Sequence, residues 1–196
     1  MREITTKVYT FDELSDDAKE KARDWFRQFV FTDSNDWEFV YEDAKKIAAL
    51  FGLNIQKIYF TGFASQGDGA CFEGDYSFKP GGLKAVKDYA PQDTELHSTV
   101  EALQDVQRRN FYQITATTAH SGHYYHSGCM LVDIERKDGK DWSDGARDEI
   151  KDQLRNFADW THCQLKAEYY YQMSDEVVDE NIRANEYEFT EKGERA

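Results

Sequence analysis

The sequence predicts an α+β fold around a mainly antiparallel sheet. Two β-hairpin patterns, at 53–78 and 111–134, are rich in Ile, Tyr, Phe and Thr, and each is flanked by segments of helical periodicity. Strands that pair through hairpins while helices intervene give segregated rather than alternating β/α order. Residues 3–9 add an N-terminal strand, and about six helices pack on the sheet. With 196 residues, the chain reads as a single α+β domain spanning 1–196, ending in an acidic helix and tail at 174–196.

Each element follows from its residues. Ser15 caps a first helix whose opening turn holds Asp16 and Asp17, where carboxylates favour the helix dipole. Ala18, Ala22, Trp25, Phe26, Phe29 and Val30 form its apolar stripe, and Trp25, Phe26 and Phe29 are expected to lie against the sheet. A second helix begins near Asn35 or Asp36, carries Val40, Ala44, Ile47, Ala48 and Phe51 inward, and stops at Gly52. Strands at 53–63 and 69–78 are joined by Ser65-Gln66-Gly67-Asp68-Gly69. A short helix runs from Gly82 to Tyr89, before Pro91. Asp93 or Thr94 caps the next helix, with Leu96, Val100, Leu103 and Val106 inward. Strands at 111–120 and 123–134 form the second hairpin, and Asp138-Gly139 marks a turn. The longest helix covers 143–172, with Ile150, Leu154, Phe157, Thr161 and Leu165 on one side. Ser174 caps the last helix.

Composition excludes several classes of function. The chain has 38 acidic and 24 basic residues, a net charge of −14, which disfavours a broad grip on nucleic acid or anionic lipid. Its longest apolar stretch, Ile47 to Leu53, is far below the roughly 20 residues of a membrane span. Neither direct nucleic-acid binding nor a membrane role is therefore expected. The first residues lack the apolar core of a secretory signal. The three cysteines, Cys71, Cys129 and Cys163, are odd in number and form no CxxC pair, so reduced thiols and a cytoplasmic location are expected.

The string His120-Ser-Gly-His123-Tyr-Tyr-His126-Ser-Gly-Cys129 invites a zinc site. A two-residue turn at Ser121-Gly122 would make His120 and His123 face each other and turn His126 to the other side of the sheet. Cys129 would then stand about 20 Å along the strand. No metal and no cofactor is expected. The Ser65–Gly69 loop lacks the lysine of a phosphate-binding loop and opens no helix. The 138–149 segment carries Lys140 and Trp142 where a calcium loop needs ligands. Cys163 and His162 are adjacent on a helix and do not face each other. No catalytic residue is assigned.

The acids are more informative. Residues 174–196 hold 8 acids against 3 bases. Asp175, Glu176, Asp179 and Glu180 share one side of the last helix, and Asp16, Glu20 and Asp24 form an i, i+4, i+8 stripe on the first. Carboxylates about 6 Å apart along a helix approximate a row of phosphates, attractive to a basic groove. These seven are the candidate partner-binding residues. The contrary reading is a merely solvated face, since Lys19, Lys21, Arg23 and Arg27 are interleaved in the first helix. Phe63 and Phe72 mark an alternative, aromatic interface.

The strings FDELSDDAKEKARDWF (11–26), YEDAKKIAALFGL (41–53), IYFTGFASQGDGACFEG (58–74), YAPQDTELH (89–97), HSGHYYHSGCM (120–130) and the segment 157–193 resemble phage and proteobacterial proteins labelled "antitoxin of toxin–antitoxin stability system". The resemblance runs through most of the chain. It implies a phage or mobile-element setting and a non-catalytic role in neutralising a partner, with no catalytic residue to carry over. The expected function is an acidic antagonist that binds and blocks a protein with a basic surface, such as a toxin or a host defence nuclease. The alternatives are a small enzyme using the His120/His123 tip or a cysteine, and a phage structural protein.

Overall fold

A computed structural model describes residues 7–31 and 37–196. Contacts group the chain into two compact units, one of residues 1–38 and 167–196 and one of residues 39–166. Each unit has its own apolar core.

The larger unit contains α2 (Glu38–Leu50), β2 (Leu53–Thr61), β3 (Gly69–Ser77), α3 (Gly82–Tyr89), α4 (Thr94–Arg109), β4 (Ile114–His120), β5 (Met130–Arg136) and most of α5 (Ala146–Gln172). Its sheet is antiparallel throughout, in the order β2-β3-β4-β5. Alternation puts Leu53, Tyr76 and Ala116 side by side on one face, where they join the inward residues of α2, α4 and α5 in a single core. The buried positions on these helices include those that periodicity picks out: Val40, Ala44, Ile47 and Ala48 on α2, Leu96, Val100, Leu103 and Val106 on α4, and Ile150, Leu154, Phe157, Thr161 and Leu165 on α5. Asp93 caps α4 by accepting from the Leu96 amide at 2.9 Å. Gly52, at φ +93°, ends α2 in the left-handed backbone that a glycine adopts without strain. The opposite face of the sheet is open, with the row Asn54, Asp75, Thr117 and Asp133 exposed.

The smaller unit joins the two ends of the chain. It holds β1 (Tyr9–Thr10), a 3-10 turn (Phe11–Glu13), α1 (Asp16–Arg27), the end of α5, α6 (Asp175–Ala184) and β6 (Glu188–Phe189). Ser15 and Ser174 cap α1 and α6 as expected, each accepting at 3.4 Å from the amide three residues on. The core is Phe11, Leu14, Ala18, Ala22, Val178, Ile182 and Phe189.

The α+β class holds, and three details of it change. The N-terminal strand does not extend the main sheet: β1 pairs antiparallel with β6, Tyr9 opposite Phe189. The earlier part of that strand, residues 3–6, lies outside the described residues, as does the expected start of the second helix at 35–36. Phe29 is 58% exposed, because α1 ends at Arg27 and the chain leaves the stripe before reaching it. Trp25 and Phe26 pack instead against the C-terminal segment, with Trp25 edge-on to Tyr187 (5.1 Å) and Phe189 (5.7 Å). The second hairpin is also shorter than its composition suggests. β4 starts only at Ile114, because Phe111 and Tyr112 both take left-handed backbone, and β5 starts at Met130, opposite His120.

Candidate functional site

The acidic stripes of α1 and α6 meet in the smaller unit, and two arginines stand between them. Arg23 donates from Nε to Asp179 Oδ1 (2.7 Å) and from Nη2 to Oδ2 (2.8 Å), a bidentate pair linking the two helices. It also reaches Glu20 (3.0 Å) and Asp175 (3.7 Å). Arg27 pairs with Glu20 (3.2 Å), Asp24 (3.1 Å) and Asp175, and donates to the Met173 carbonyl (3.2 Å). Arg183, one turn along α6 from Asp179, pairs with Asp12 at 2.9 Å.

Of the seven candidate acids, Glu20, Asp24, Asp175 and Asp179 are therefore held by arginines of the same chain. Asp16, Glu176 and Glu180 are exposed and engage no side chain among the described residues. The arginine side chains are the sheltered partners: Arg23 is 18% exposed and Arg27 22%, against 53% for Glu20, 68% for Asp24 and 60% for Asp175. Asp179, at 15%, is sunk between the helices. Cations sit inside and most of the anions point outward. The guanidinium hydrogen bonds from Arg23 and then Arg27 hold the Glu20 carboxyl below the usual range, and Arg183 does the same for Asp12. Interleaved acids and bases within α1 were visible in the sequence, but nothing there revealed that Arg23 reaches a residue 156 positions away.

The histidine string is organised differently from the two-residue turn expected of it. His120 pairs with Met130, so residues 121–129 form a nine-residue connection that folds over the β2–β3 loop. Contact is close: a Cβ on Gly67 would lie 2.5 Å from the Tyr124 ring, and one on Gly69 would lie 2.7 Å from the His126 Cα. The strings around Ser65–Gly69 and His120–Cys129 thus meet. His120 stacks on Tyr59 (4.7 Å) beside Tyr125, and Tyr59 donates its hydroxyl hydrogen to Glu73 at 3.0 Å. His120 Nε2 donates to the Tyr124 carbonyl (3.1 Å), which leaves Nδ1 of the neutral ring as an acceptor.

His126 Nδ1 accepts from the Gly128 amide (3.1 Å), so the neutral ring carries its proton on Nε2, 3.5 Å from Cys129 Sγ. In that tautomer the imidazole donates to the sulfur and cannot take its proton. The contact therefore lacks the proton acceptor that the nucleophile–base couple of a cysteine hydrolase needs. Burial pushes the Cys71 thiol up to about 12. No group of three or more His, Cys, Asp or Glu side chains able to hold a metal ion occurs among the described residues. Phe72, offered above as part of an aromatic interface, is 1% exposed and belongs to the core.

Residues 37–175 match the family described as a domain of unknown function, DUF8835. The chain belongs to that family. No curated protein and no solved structure matches it. The DUF8835 span takes in the four-stranded sheet and both glycine-rich loops. Asp175 is its last residue, so Asp16, Glu20, Asp24, Glu176, Asp179 and Glu180 fall outside it. No helix among the described residues is long and apolar enough to cross a membrane.

Proposed function

We propose that the protein is a non-enzymatic antagonist, an antitoxin or phage counter-defence factor, that uses its acidic unit to dock on and block a protein with a basic surface in the cytoplasm of a cell carrying a phage or mobile element. The reading is supported first by where the charge lies. Residues 1–38 and 167–196 carry 19 acids against 9 bases, a net of −10 of the chain's −14. Arg23 and Arg27 are drawn inward between α1 and α6, leaving the carboxylates of Glu20, Asp24 and Asp175 as the more outward charge. Such a field steers a basic partner and raises the rate of encounter more than the final affinity. The resemblance to antitoxin-labelled proteins points to the same kind of role.

Because Asp175 and Asp179 also brace the helix pair, the clean probes are the acids outside the network. The variant Asp16→Asn/Glu176→Gln/Glu180→Gln should fold normally and associate more slowly with a basic partner captured from host lysate. The deficit should shrink as salt rises, since screening acts within about 8 Å at physiological ionic strength. Wild-type association rates with an unchanged salt slope would refute docking through this face.

A second reading, a small enzyme at the loop cluster, draws on the contact of His126 with Cys129. A single thiol that outpaces the others toward alkylating agents, with loss of a measurable turnover on its substitution, would favour it.

A further inference from the structure

The acidic unit contains a cavity of about 460 Å³ between the Phe11–Glu13 turn and the end of α6, among whose lining residues are Phe11, Asp12, Arg183, Glu186, Tyr187 and Glu188. That volume lies within the range of ordinary ligand pockets and is ample for one long side chain. The aromatic walls already show which chemistry they accept. The Arg183 guanidinium lies 5.3 Å from the centroid of Phe11 and donates from Nε to both oxygens of Asp12, at 3.0 and 3.3 Å. On Tyr187 the Arg195 guanidinium lies 5.0 Å from the ring centroid, while its Nη1 donates to the Glu188 carbonyl. Each ring thus carries a planar cation of the chain itself, the arrangement that an aromatic quadrupole favours. The Glu186 and Glu188 carboxylates on the same lining engage no side chain among the described residues.

We propose that this cavity is the socket for an arginine side chain of the basic protein partner, an inference that rests on the blocking function above. The incoming guanidinium would lie beside the part of Tyr187 that lines the cavity, a ring that also meets Trp25 and Arg195, and pair with Glu186 and Glu188. The aliphatic stem of the arginine would cover the apolar floor. An anionic occupant is disfavoured, because three carboxylates line the cavity and its one lining guanidinium is committed to Asp12. Buried arginine and tyrosine anchors commonly carry much of the energy of a protein interface, which suits a cavity set within a charged surface.

The probe is N-acetyl-arginine amide, titrated at low salt into the isotopically labelled full chain and followed by amide chemical shifts. Shifts centred on Phe11, Tyr187 and Glu188 are expected. N-acetyl-citrulline amide, of similar shape but uncharged, should leave them unmoved. Glu186→Gln/Glu188→Gln, both at exposed positions, should keep the native melting temperature and bind the probe about tenfold more weakly, as the loss of two exposed ion pairs implies. Equal shifts with citrulline, unchanged affinity in the double variant, or shifts confined to α1 and the start of α6 would each overturn the socket. The two proposals fail separately. If the Asp16/Glu176/Glu180 variant slows partner association while the probe ignores the cavity, the socket falls and the blocking function stands. If the probe seats in the cavity but no basic protein associates in a salt-dependent way, the cation socket stands and the blocking function falls.

Discussion

Arg23 on α1 and Asp179 on α6 form a bidentate ion pair, at 2.7 and 2.8 Å, in which both side chains are largely shielded from water. Such a pair lies between the weak exposed bridges and the costly buried ones. Its rupture leaves one sheltered charge without its counterpart. Arg23→Ala or Asp179→Asn should each lower stability by about 2 kcal/mol. The double variant should lose much less than the sum, which chemical denaturation of all four proteins would show. Strict additivity would mean that the two helices do not depend on this contact.

Trp25 and Phe29 are four residues apart and in ring contact, yet should differ in what their truncation costs. Trp25 contacts Tyr187 and Phe189, so Trp25→Ala should cost about 3 kcal/mol. Phe29 is 58% exposed but meets Trp25 edge-on at 5.3 Å, so Phe29→Ala should cost about 1 kcal/mol, the worth of an aromatic pair. Calorimetric melting of the two variants side by side is the check.

Acid should loosen the smaller unit first. The Asp12 and Glu20 carboxyls are held below their ordinary values of 3.8 and 4.5 by arginine hydrogen bonds. Their stabilisation is complete above those values and is lost as pH falls through the lower values of the folded state. The melting temperature should therefore hold from neutral pH down to about 5 and fall below about 4.5. Salt at about 1 M should flatten that fall, because it screens these exposed pairs.

Alkali acts on the larger unit. Burial raises the Cys71 thiol from 9.0 and the Tyr76 phenol from 10.0, each to about 12. Both groups stay protonated in the folded chain while the unfolded chain would ionise, so stability is intact below about pH 9 and declines between pH 9 and 12. At neutral pH the folded protein should give two alkylated thiols, at Cys129 and Cys163, and Cys71 should react only on unfolding. Mass spectrometry of alkylated peptides would settle the order.

The contact between the two loops admits a single-atom test. A Cβ at Gly69 would meet the backbone of His126, which has no flexible end to yield. Gly69→Ala should displace the 121–129 segment at a cost of about 1–3 kcal/mol, the usual penalty of overpacking. Faster hydrogen exchange at the Ser121 and Cys129 amides should accompany it. Unaltered protection would show that the loops part easily.

What could be read from the sequence was the local order. Inward positions on α2, α4 and α5 follow from periodicity alone, because one face of each helix meets the sheet. The serine and aspartate caps are equally local. The second hairpin misled because Ser121-Gly122 has the composition of a tight turn, whereas the segment spends its polar groups on itself: His126 accepts from Gly128, and the Ser121 amide bonds the Cys129 carbonyl. The candidate acids could be placed on their helices from spacing, yet their cations were not identifiable, and Asp179 lies sheltered between the helices while Glu176 and Glu180 are exposed. The partners of Asp12, Asp175 and Asp179 lie about 150 to 170 positions away, and no periodicity within one helix encodes that pairing.

The pairing of β1 with β6 and of α1 with α6 fixes an order of events during synthesis. Residues 39–166 can complete their own core as soon as they leave the ribosome, whereas α1 must wait for residues 175–189 before its apolar side is covered. The charged surface is thus the last part of the protein to come into being. A chain cut short by a nonsense codon before α6 would keep the four-stranded sheet yet present a bare α1, prone to capture by proteases or to association with other unfinished chains.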